Sequence, residues 1–333
     1  MHKFDKILSG ATWAYLASII LALLLAYFAG DRWWPGTLLL FGPRWALALP
    51  IIPLLPLILW RRPVLLIPLA LGAAMVFGPF MGFRYSFSTP QSVEKRVVRV
   101  MSCNVGGKNF DAQKLSRLVQ DFDVDIVTLQ ECPSGLRLKL TSEWNVASSG
   151  NLSVFSRHPL KAIPLAKNIA MPGRWPLPPL FQCMAGTPFG DILVYAVHLP
   201  TARYGLENML DSKVGLNFKK AGYLIAETQR RSNISHQSRN AIETKKIPSV
   251  IAGDFNMPVE STIYRQYWSE FRNAFSLSGR GYGFTTMDIR KGIPIPLRID
   301  HILTGNGLTP LACKVGPDVG SDHRPIIADI AWE

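Results

Sequence analysis

The hydrophobic pattern divides the chain into a continuously apolar first part and a second part in which short apolar runs alternate with polar turns. In the first part, Ala11 to Gly30 is a run of 20 residues without a charged side chain, and about 20 apolar residues cross the hydrocarbon core of a bilayer. This run predicts a transmembrane helix. A cleaved signal peptide is the alternative, but the run is long, lacks a clear small-residue cleavage site and is followed by more apolar sequence.

Two further apolar segments predict membrane spans. Trp45 to Trp60 has 16 residues and contains three prolines, so it either crosses with kinks or re-enters the same side of the membrane. Pro63 to Phe83 has 21 uncharged residues, and its Gly72-Ala73-Ala74 offers a small surface on which membrane helices pack closely. We therefore predict three spans and a membrane anchor over residues 1–85.

Basic residues in the short loops predict the orientation of these spans. Lys3 and Lys6 precede the first span, and Arg61-Arg62 forms the turn between the second and third, so both places are expected in the cytoplasm. Three spans then place the chain after Phe83 outside the cytoplasm. Basic residues just beyond the last span oppose this orientation, although charges in a long translocated domain count for less, and loss of the proline-rich span would reverse it.

The second part of the chain begins after a polar linker over residues 86–96. Val97 to Cys103 predicts a strand from its β-branched residues, and Asn104 follows its end. Asp111 is a plausible cap for a short amphipathic helix, because apolar residues then recur at helical spacing. Asp125 to Glu131 predicts the next strand, which again ends in a carboxylate.

The same arrangement of an apolar run beside polar side chains recurs to the end of the chain. The runs are Leu152 to Ser156, Ile192 to Val197 before His198, Val250 to Ala252 before Asp254 and Asn256, Leu297 to Ile299 before Asp300 and His301, and Pro325 to Ile330 after Asp322 and His323. A single Asp or Asn after a strand is usually a turn former. The ordered set with paired His and Asp is not explained by turns, and it predicts a site.

These residue types suit hydrolysis of a phosphate ester. That reaction needs a hard cation on oxygen ligands, a positioned water and donors for the charge that develops on the phosphoryl oxygens. Carboxylates and Asn supply the first need, and His supplies the others. Cysteine is absent from these motifs apart from Cys103, which favours Mg²⁺ or Mn²⁺ over zinc.

Composition adds two constraints. The 333 residues include 36 Lys and Arg against 23 Asp and Glu, few of them in the first 90 residues, so a wholly soluble protein is excluded and the rest has the composition of a moderately basic globular domain. The four cysteines lie far apart without a Cys-x-x-Cys pair. This gives no zinc motif and no dense disulfide framework, and one disulfide remains open.

Taken in order, the motifs resemble the endonuclease/exonuclease/phosphatase superfamily, which includes pancreatic deoxyribonuclease, abasic-site endonucleases, neutral sphingomyelinases and inositol polyphosphate 5-phosphatases. The motifs are Cys103-Asn104-Val105, Leu129-Gln130-Glu131, Val197-His198-Leu199-Pro200, Gly253-Asp254-Phe255-Asn256, Arg298-Ile299-Asp300-His301 and Ser321-Asp322-His323-Arg324-Pro325. The resemblance covers a catalytic domain over residues 97–333. The three-span front is similar to that of bacterial membrane-anchored members, which implies the inner membrane with a periplasmic domain.

The resemblance implies a four-layer α/β sandwich, in which two mixed sheets lie face to face with helices outside and the site lies at one edge. It implies that Glu131 binds Mg²⁺ or Mn²⁺ with Asn104 beside it, and that Asp322 belongs to a second metal position.

The same resemblance implies the catalytic roles. Asp254 and Asn256 would position the attacking water and a phosphoryl oxygen. His198 would contact the phosphate and help to protonate the leaving oxygen, while Asp300 would orient His323 through a hydrogen bond. No motif position departs from the family pattern, so a catalytically inactive relative is not expected.

Several other features have a structural alternative. We interpret His301 as structural, His158 as part of a turn before a proline and His236 as solvated. A proline-rich loop around Trp175 either lines the substrate entrance, lies on the membrane or simply packs. Eight cations between His198 and Asp254 either bind the phosphates of a nucleic acid or of anionic lipid head groups, or lie on a solvated helix face; they are Lys213, Lys219, Lys220, Arg230, Arg231, Arg239, Lys245 and Lys246. The solvated face would lie above an apolar stripe of Phe218, Ala221, Leu224 and Ile225.

Three functions remain open from the sequence. The first is a membrane-tethered, metal-dependent phosphoesterase acting on a phosphodiester or phosphomonoester near the bilayer, such as a lipid head group. The second has the same chemistry with DNA or RNA as substrate. The third is a non-catalytic membrane scaffold, which the complete set of motif residues disfavours.

Overall fold

The structure is a computed structural model. It describes residues 3–86, 96–140, 143–165, 167, 169, 177–211, 215–216, 220–242, 247–290 and 293–333. Most of the predicted linker, the loop around Trp175 and four of the eight cations lie outside the described residues; these cations are Lys213, Lys219, Lys245 and Lys246.

The helices of the described residues are concentrated at the front of the chain and on the outside of the catalytic domain. They are α1 (Lys3–Phe28), α2 (Trp34–Phe41), α3 (Ile51–Arg61), α4 (Leu66–Met75), α5 (Ala112–Asp121), α6 (Arg203–Met209), α7 (Ala221–Ala241), α8 (Thr262–Tyr267) and α9 (Ala274–Ser278). The expected cap of α5 is present, since the Asp111 carboxylate accepts hydrogen bonds from the backbone of Gln113 and Lys114.

Within the part of the chain that the structure describes, three helical segments are long and apolar enough to cross a membrane, and they overlap the three predicted spans. They are Lys3–Phe28, Arg44–Arg61 and Pro63–Phe80. The proline-rich segment is helical: a 3-10 turn over Arg44–Ala48 leads into α3. The third segment ends before the predicted Phe83, because the chain turns at Gly82, whose φ is +77°.

The strands belong mainly to the second part of the chain. They are β1 (Arg84–Tyr85), β2 (Val97–Asn104), β3 (Ile126–Gln130), β4 (Asn145–Ser149), β5 (Leu152–Ser156), β6 (Leu160–Ala162), β7 (Leu180–Thr187), β8 (Gly190–His198), β9 (Leu210–Asp211), β10 (Gly215–Leu216), β11 (Ser249–Asp254), β12 (Arg272–Asn273), β13 (Arg280–Gly281), β14 (Thr286–Arg290), β15 (Ile293–Leu297), β16 (Asp300–Thr304), β17 (Leu308–Val315) and β18 (Ile326–Trp332).

Two six-stranded sheets form the centre of the domain. Sheet I has the order β17-β18-β2-β3-β5-β4, and sheet II has the order β12-β16-β11-β8-β7-β6. Each sheet is mixed, because β2 and β3 are parallel, as are β8 and β11, while the other neighbours are antiparallel. The predicted sandwich of two mixed sheets flanked by helices is confirmed.

Alternate residues of each central strand belong to different hydrophobic layers of the sandwich. On β2, Val98 and Val100 lie in the core between the sheets, whereas Met101 and Cys103 pack against α5 outside sheet I. Successive strand residues point to opposite faces, so even-numbered positions of β2 face sheet II. The same parity holds on β8, where Val194 faces sheet I.

The outer face of sheet II is covered both by helices of the second part of the chain and by the amino-terminal helices. Tyr195 of β8 and Trp268 after α8 belong to one buried cluster with Ala26 at the end of α1, Phe41 of α2 and Phe80. The amino-terminal helices therefore share a hydrophobic core with the sandwich.

One predicted strand is wrong. Leu297 to Ile299 was expected to form a strand that ends at Asp300, but β15 ends at Leu297 and Asp300 instead begins β16. The Thr285 hydroxyl oxygen accepts hydrogen bonds from the backbone of Ile299 (3.3 Å) and Asp300 (3.2 Å). The chain turns there because a side chain, not a neighbouring strand, satisfies these amides.

The four cysteines are buried and free. Cys103 packs against α5 outside sheet I, while Cys183 and Cys313 lie in the core between the sheets. The disulfide that the sequence left open does not form.

Candidate active site

Three of the predicted site residues lie side by side across sheet II. Asp254 at the end of β11 is paired with His198 at the end of β8 and with Asp300 at the start of β16. Because β11 and β16 are antiparallel, the end of one strand and the start of the other meet at the same edge of the sheet. The even-numbered residues of β11 and β16 face sheet I, so the side chains of this row point between the sheets.

Asn104 reaches this row from the opposite sheet. It ends β2, it is 1% exposed, and its Nδ2 atom lies 3.1 Å from Asp254 Oδ2 and 3.1 Å from Glu131 Oε1. Its Oδ1 atom accepts a hydrogen bond of 2.9 Å from the backbone of Gly106. Asn104 therefore joins the two sheets at the site.

Glu131 and Asn256 have strained backbones. Their φ angles are +51° and +52°, in the left-handed region that non-glycine residues seldom occupy. The Glu131 side chain is 43% exposed, and a Cβ atom on Gly106 would lie 2.5 Å from its Oε2 atom. Glycine at 106 thus provides the space for this carboxylate, and the strain lies at the site.

Asn256 is held by Asp254 and by the loop after β8. Its backbone N–H donates to Asp254 Oδ1 at 2.8 Å, and its Nδ2 atom donates to Asp254 Oδ2 at 3.1 Å and to Leu199 O at 2.8 Å. The loop after β11 is therefore fixed against the loop that follows His198.

His323 contacts the row through Asp300. Its Nδ1 atom lies 2.8 Å from Asp300 Oδ2, and its Nε2 atom lies 3.9 Å from Asp254 Oδ2. Burial opposes the charged imidazolium, but the carboxylates of Asp300 and Asp254 outweigh it and raise the pKa of His323 to about 10. Burial and the charge of Asp300 raise the pKa of Asp254 to about 7.

His198 lies between the carboxylates on the other side of the row. Its Nε2 atom is 3.8 Å from Glu131 Oε1 and 3.8 Å from Asp254 Oδ2, and its Nδ1 atom is 3.2 Å from Asn151 Nδ2. Burial lowers the pKa of His198, which favours the neutral imidazole.

The predicted metal ligands are placed in two groups. Asn104 and Glu131 are in contact, whereas Asp322 is exposed and lies beyond Gly106, whose carbonyl oxygen is 3.4 Å from the Asp322 nitrogen. The side chains that bring metal-type atoms within 4.8 Å of one another are Asp254, Asp300 and His323.

A divalent cation fits the charge of this edge. The carboxylates of Asp300 and Asp254 lie within 3.9 Å of His323, whose pKa they raise, and Glu131 Oε1 lies 3.8 Å from His198 Nε2. Asp300 Oδ1 is buried without a hydrogen-bond partner among the described residues. An all-oxygen set of carboxylates and an amide suits Mg²⁺ or Mn²⁺.

Sequence reasoning missed two residues that organise the site. Ser321 Oγ lies 2.7 Å from Asn104 O and 2.8 Å from Gly106 O, and it accepts a hydrogen bond from the backbone of His323. Asn151 contacts His198, as described above. Ser321 stood inside a recognised motif, while no local pattern marked Asn151.

His301 is structural, as interpreted from the sequence. It is fully buried, its Nε2 atom lies 2.9 Å from Met257 O, and its Nδ1 atom lies 3.2 Å from Asn273 Nδ2. Burial, with the positive charge of Arg298 next, lowers its pKa to about 4. The side chain joins three segments beneath the site and stays neutral.

One described residue of the basic segment, Arg231, fits neither of the two predicted roles. Arg230 pairs with Glu227 at 2.7 Å and Arg239 pairs with Glu270. Arg231 is fully buried, so it is neither a free phosphate-binding cation nor part of a solvated face. The expected apolar stripe is also only partly correct.

On α7 the buried stripe runs through Arg231 itself. Leu224 and Ile234 are buried, but Ile225 is 46% exposed. The expected stripe was therefore wrong at Ile225, because the helix turns that residue away from the seam occupied by Arg231. Phe218 lies outside the described residues.

Solved structures with the same architecture cover most of the chain at low identity. The D. rerio TDP2 complexed with single-strand DNA product is 16% identical, with 71% of this chain and 99% of that chain covered at a TM-score of 0.52. An endonuclease/exonuclease/phosphatase from Beutenbergia cavernae is 18% identical over 72% of each chain, with a TM-score of 0.46. A mannosyl-6-phosphatase from Bacteroides thetaiotaomicron is 15% identical over 71% of this chain and 100% of that chain, with a TM-score of 0.45.

Comparison with curated proteins gave no match. The model of the Endonuclease/Exonuclease/phosphatase family matches residues 101–323, a range that covers more than half of the chain and contains all eight predicted site residues. Members of this family are metal-dependent phosphoester hydrolases, so the predicted enzyme class is confirmed. By this match, the chain belongs to the endonuclease/exonuclease/phosphatase family.

Proposed function

We propose that the protein is a membrane-anchored, Mg²⁺- or Mn²⁺-dependent phosphoesterase whose substrate is an amphipathic phosphoester held at the bilayer, such as a lipid head group. The observation that carries this proposal is the position of the anchor beside the site. Leu38 and Phe41 of α2 line the same cleft, of about 1640 Å³, as Asn256 and His323.

The cleft offers an apolar surface next to the phosphoester chemistry. Besides the anchor residues, its wall includes Phe284, Met287 and Ile295 around the β14–β15 hairpin. Apolar walls favour burial of hydrocarbon. A substrate with a phosphate at one end and an apolar body at the other matches this surface better than a polynucleotide, which is charged along its whole length.

The residues of the site support an in-line displacement at phosphorus. A water oxygen forms the new bond to phosphorus, its proton passes to the Asp254 carboxylate, and the bond to the leaving oxygen breaks. Asp254 has a pKa of about 7, which suits a proton acceptor at neutral pH. Asn256, held by Asp254 and Leu199 O, donates to a phosphoryl oxygen.

The histidines act on the negative charge of the phosphoryl group. His323 has a pKa of about 10, so it is protonated at neutral pH and donates a charge-assisted hydrogen bond. His198, whose lowered pKa favours the neutral imidazole, lies across the row and contacts the phosphoryl group, and the proton taken up by the leaving oxygen comes from the His323 imidazolium. A divalent cation near Glu131 and Asn104 supplies Lewis-acid stabilisation when bound, with Asp322 available for a second ion.

We propose that the domain lies outside the cytoplasm, and the arrangement of the basic residues at the ends of the apolar helices supports this. The guanidinium of Arg61 lies 5.7 Å from the ring of Phe4, so the Arg61-Arg62 turn and the amino-terminal lysines are at one end of the helices. Arg44 pairs with Glu260 of the catalytic domain at 3.1 Å at the other end. Basic loops remain in the cytoplasm, so we place the domain in the periplasm of a bacterial inner membrane.

A nuclease is the second candidate, because one neighbour of the same fold was solved with a single-strand DNA product. Three of the four described cations of the basic segment favour it less, since Arg230, Arg231 and Arg239 are each paired with a carboxylate. Polynucleotide binding depends on many phosphate contacts that release counterions, and these three cations are already compensated.

The test compares the two substrate classes on the full chain in nanodiscs of phosphatidylethanolamine and phosphatidylglycerol. We expect Mg²⁺-dependent release of a phosphorylated head group or of phosphate, with supercoiled plasmid left intact, and loss of the release in His323→Ala. Nicking of the plasmid with intact lipid would replace the lipid substrate by nucleic acid. Absence of turnover on both would support the scaffold.

A further inference from the structure

Arg231 is a buried cation that links the anchor to the catalytic loops. It lies in the middle of α7 and is fully buried, and its Nη1 atom lies 3.1 Å from Oδ1 of Asp31, between α1 and α2. Asp31 is the carboxylate that pairs with it among the described residues. A buried charge without its counter-ion costs several kcal/mol, so this pair makes the anchor part of the folded domain.

The other donors of Arg231 hold the two loops that carry the site. Nε donates to Pro200 O at 3.2 Å, two residues after His198. Nη2 donates to Asn256 O at 3.3 Å. The guanidinium is planar and rigid, so these contacts fix the loop after β8 and the loop after β11 relative to each other.

Asp31 is in turn fixed by the segment that leads into α8. Its Oδ2 atom accepts hydrogen bonds from Ser261 Oγ at 2.5 Å and from the Thr262 backbone at 2.9 Å. The loop of Asp31 approaches α8 so closely that a Cβ atom on Gly30 would lie 2.6 Å from Thr262 Cγ2. These contacts fix the position of the Asp31 carboxylate, and its ion pair in turn fixes the Arg231 guanidinium.

Phe41 completes the environment of the guanidinium from the anchor side, with its ring centroid 5.0 Å from the central carbon of Arg231. The anchor thus supplies both the counter-ion and an aromatic face for the side chain that holds the loops.

We propose that Asp31 and Arg231 are positioning residues, through which docking of the membrane anchor sets the relative placement of His198 and Asn256. The inference deepens the proposed function, because it assigns the anchor a part in assembling the site as well as in holding the enzyme at the bilayer. It predicts that turnover of a soluble substrate also depends on the anchor.

A second ion pair between anchor and domain provides the matched control. Arg44 pairs with Glu260 at 3.1 Å, and its other donors go to Leu40 O and Phe80 O, which belong to the anchor. This pair joins the same two parts of the chain without contacting Pro200 or Asn256. Its loss therefore weakens the contact between the anchor and the domain but removes no hydrogen bond to the loops after β8 and β11.

The experiment measures kcat and KM of the full chain in detergent with bis(p-nitrophenyl) phosphate, a soluble chromogenic phosphodiester. Asp31→Asn removes the counter-ion, and we expect kcat to fall by about tenfold to a hundredfold, as for small displacements of reacting groups. Arg44→Gln should keep kcat within about twofold, although it also removes an ion pair between the anchor and the domain. Asp31→Glu, which restores the charge, should recover part of the activity.

A second readout does not depend on activity. In protein labelled at histidine, the His198 side-chain resonance, assigned with His198→Ala, should shift in Asp31→Asn and keep its wild-type position in Arg44→Gln. An unchanged resonance together with wild-type kcat in Asp31→Asn would overturn the inference. Equal effects of Asp31→Asn and Arg44→Gln would do the same.

Arg231→Lys decides the question if Asp31→Asn does not fold. Lysine keeps the charge but has no planar fork, so the loops should lose their joint support while Asp31 keeps a cationic partner. Wild-type kcat and an unshifted His198 resonance in this variant would refute the inference. Lack of turnover in the wild-type protein would count against the proposed function alone, because the resonance comparison would still report the position of His198.

Discussion

The Nδ1 atom of His323 lies 2.8 Å from the Oδ2 atom of Asp300, although the two residues adjoin strands of different sheets of the sandwich. Asp300 begins β16 in sheet II, and His323 precedes β18 of sheet I. The contact therefore exists only when the two sheets are packed face to face. It makes the protonation of His323 a property of the assembled fold.

Replacing Asp300 by Asn should remove the charge that raises the pKa of His323 while leaving the His323 side chain in place. The amide retains a polar contact but removes the carboxylate that raises the pKa of His323, so we expect the pKa to fall and kcat to decrease by about a hundredfold or more. Histidine NMR titration and steady-state kinetics measure the two effects. Conversion of the neighbouring His301 to Gln is the control and should leave the His323 titration unchanged.

Glu131→Gln should remove metal-supported turnover. The carboxylate is partly exposed beside Asn104, and its loss takes a negative oxygen from the proposed ion. Calorimetric titration with Mn²⁺ should show weaker binding by the variant. Glu143→Gln, at an exposed position, should bind Mn²⁺ like the wild type; equal binding by both variants would exclude Glu131 as a ligand.

Gly106→Ala tests the space beside Glu131. The added Cβ atom would lie 2.5 Å from Glu131 Oε2, so the carboxylate must move, and we expect turnover to fall by about tenfold to a hundredfold. The matched variant is Gly222→Ala on α7, where a Cβ atom meets nothing within 4 Å. It should keep full activity and gain about 0.5–1 kcal/mol of stability. Full activity of Gly106→Ala would show that Glu131 needs no fixed position.

His301 should make the stability of the domain depend on pH. Its pKa is about 4 in the folded protein and about 6.5 in the unfolded chain, so between these values the unfolded state binds more protons. The free energy of unfolding should therefore rise with pH from about 4 to about 6.5, by up to about 3 kcal/mol. Melting temperatures across this range should show a smaller slope in His301→Asn than in the exposed-site variant His236→Asn. The same slope in both would contradict the buried, neutral state of His301.

The sequence predicted the strands that carry the site where an apolar run ends directly in the functional residue. Asn104, His198 and Asp254 are of this kind, since parity along the strand and the edge of the sheet follow from the run itself. Asp300 was assigned to the wrong side of its strand. When polar residues separate two apolar runs, the pattern does not show whether a functional residue between them ends the first strand or begins the second.

The remaining features depend on contacts between distant parts of the chain. An arginine in a polar helix is expected at the surface, and Arg231 is buried because Asp31 of the amino-terminal segment, 200 positions earlier in the sequence, supplies its counter-ion. Ser321 is bound to carbonyl groups more than 200 positions away. No local periodicity records such pairs, so the sequence could not predict them.

The central claim is that the edge shared by the two sheets hydrolyses phosphoesters with a divalent ion, and one measurement tests it most directly. The full chain in detergent is assayed with bis(p-nitrophenyl) phosphate in Mg²⁺, after EDTA, and after renewed Mg²⁺, alongside His323→Ala. We expect turnover that disappears with EDTA, returns with Mg²⁺ and is reduced by about a hundredfold or more in the variant. Turnover that survives EDTA, or a variant as active as the wild type, would contradict the account.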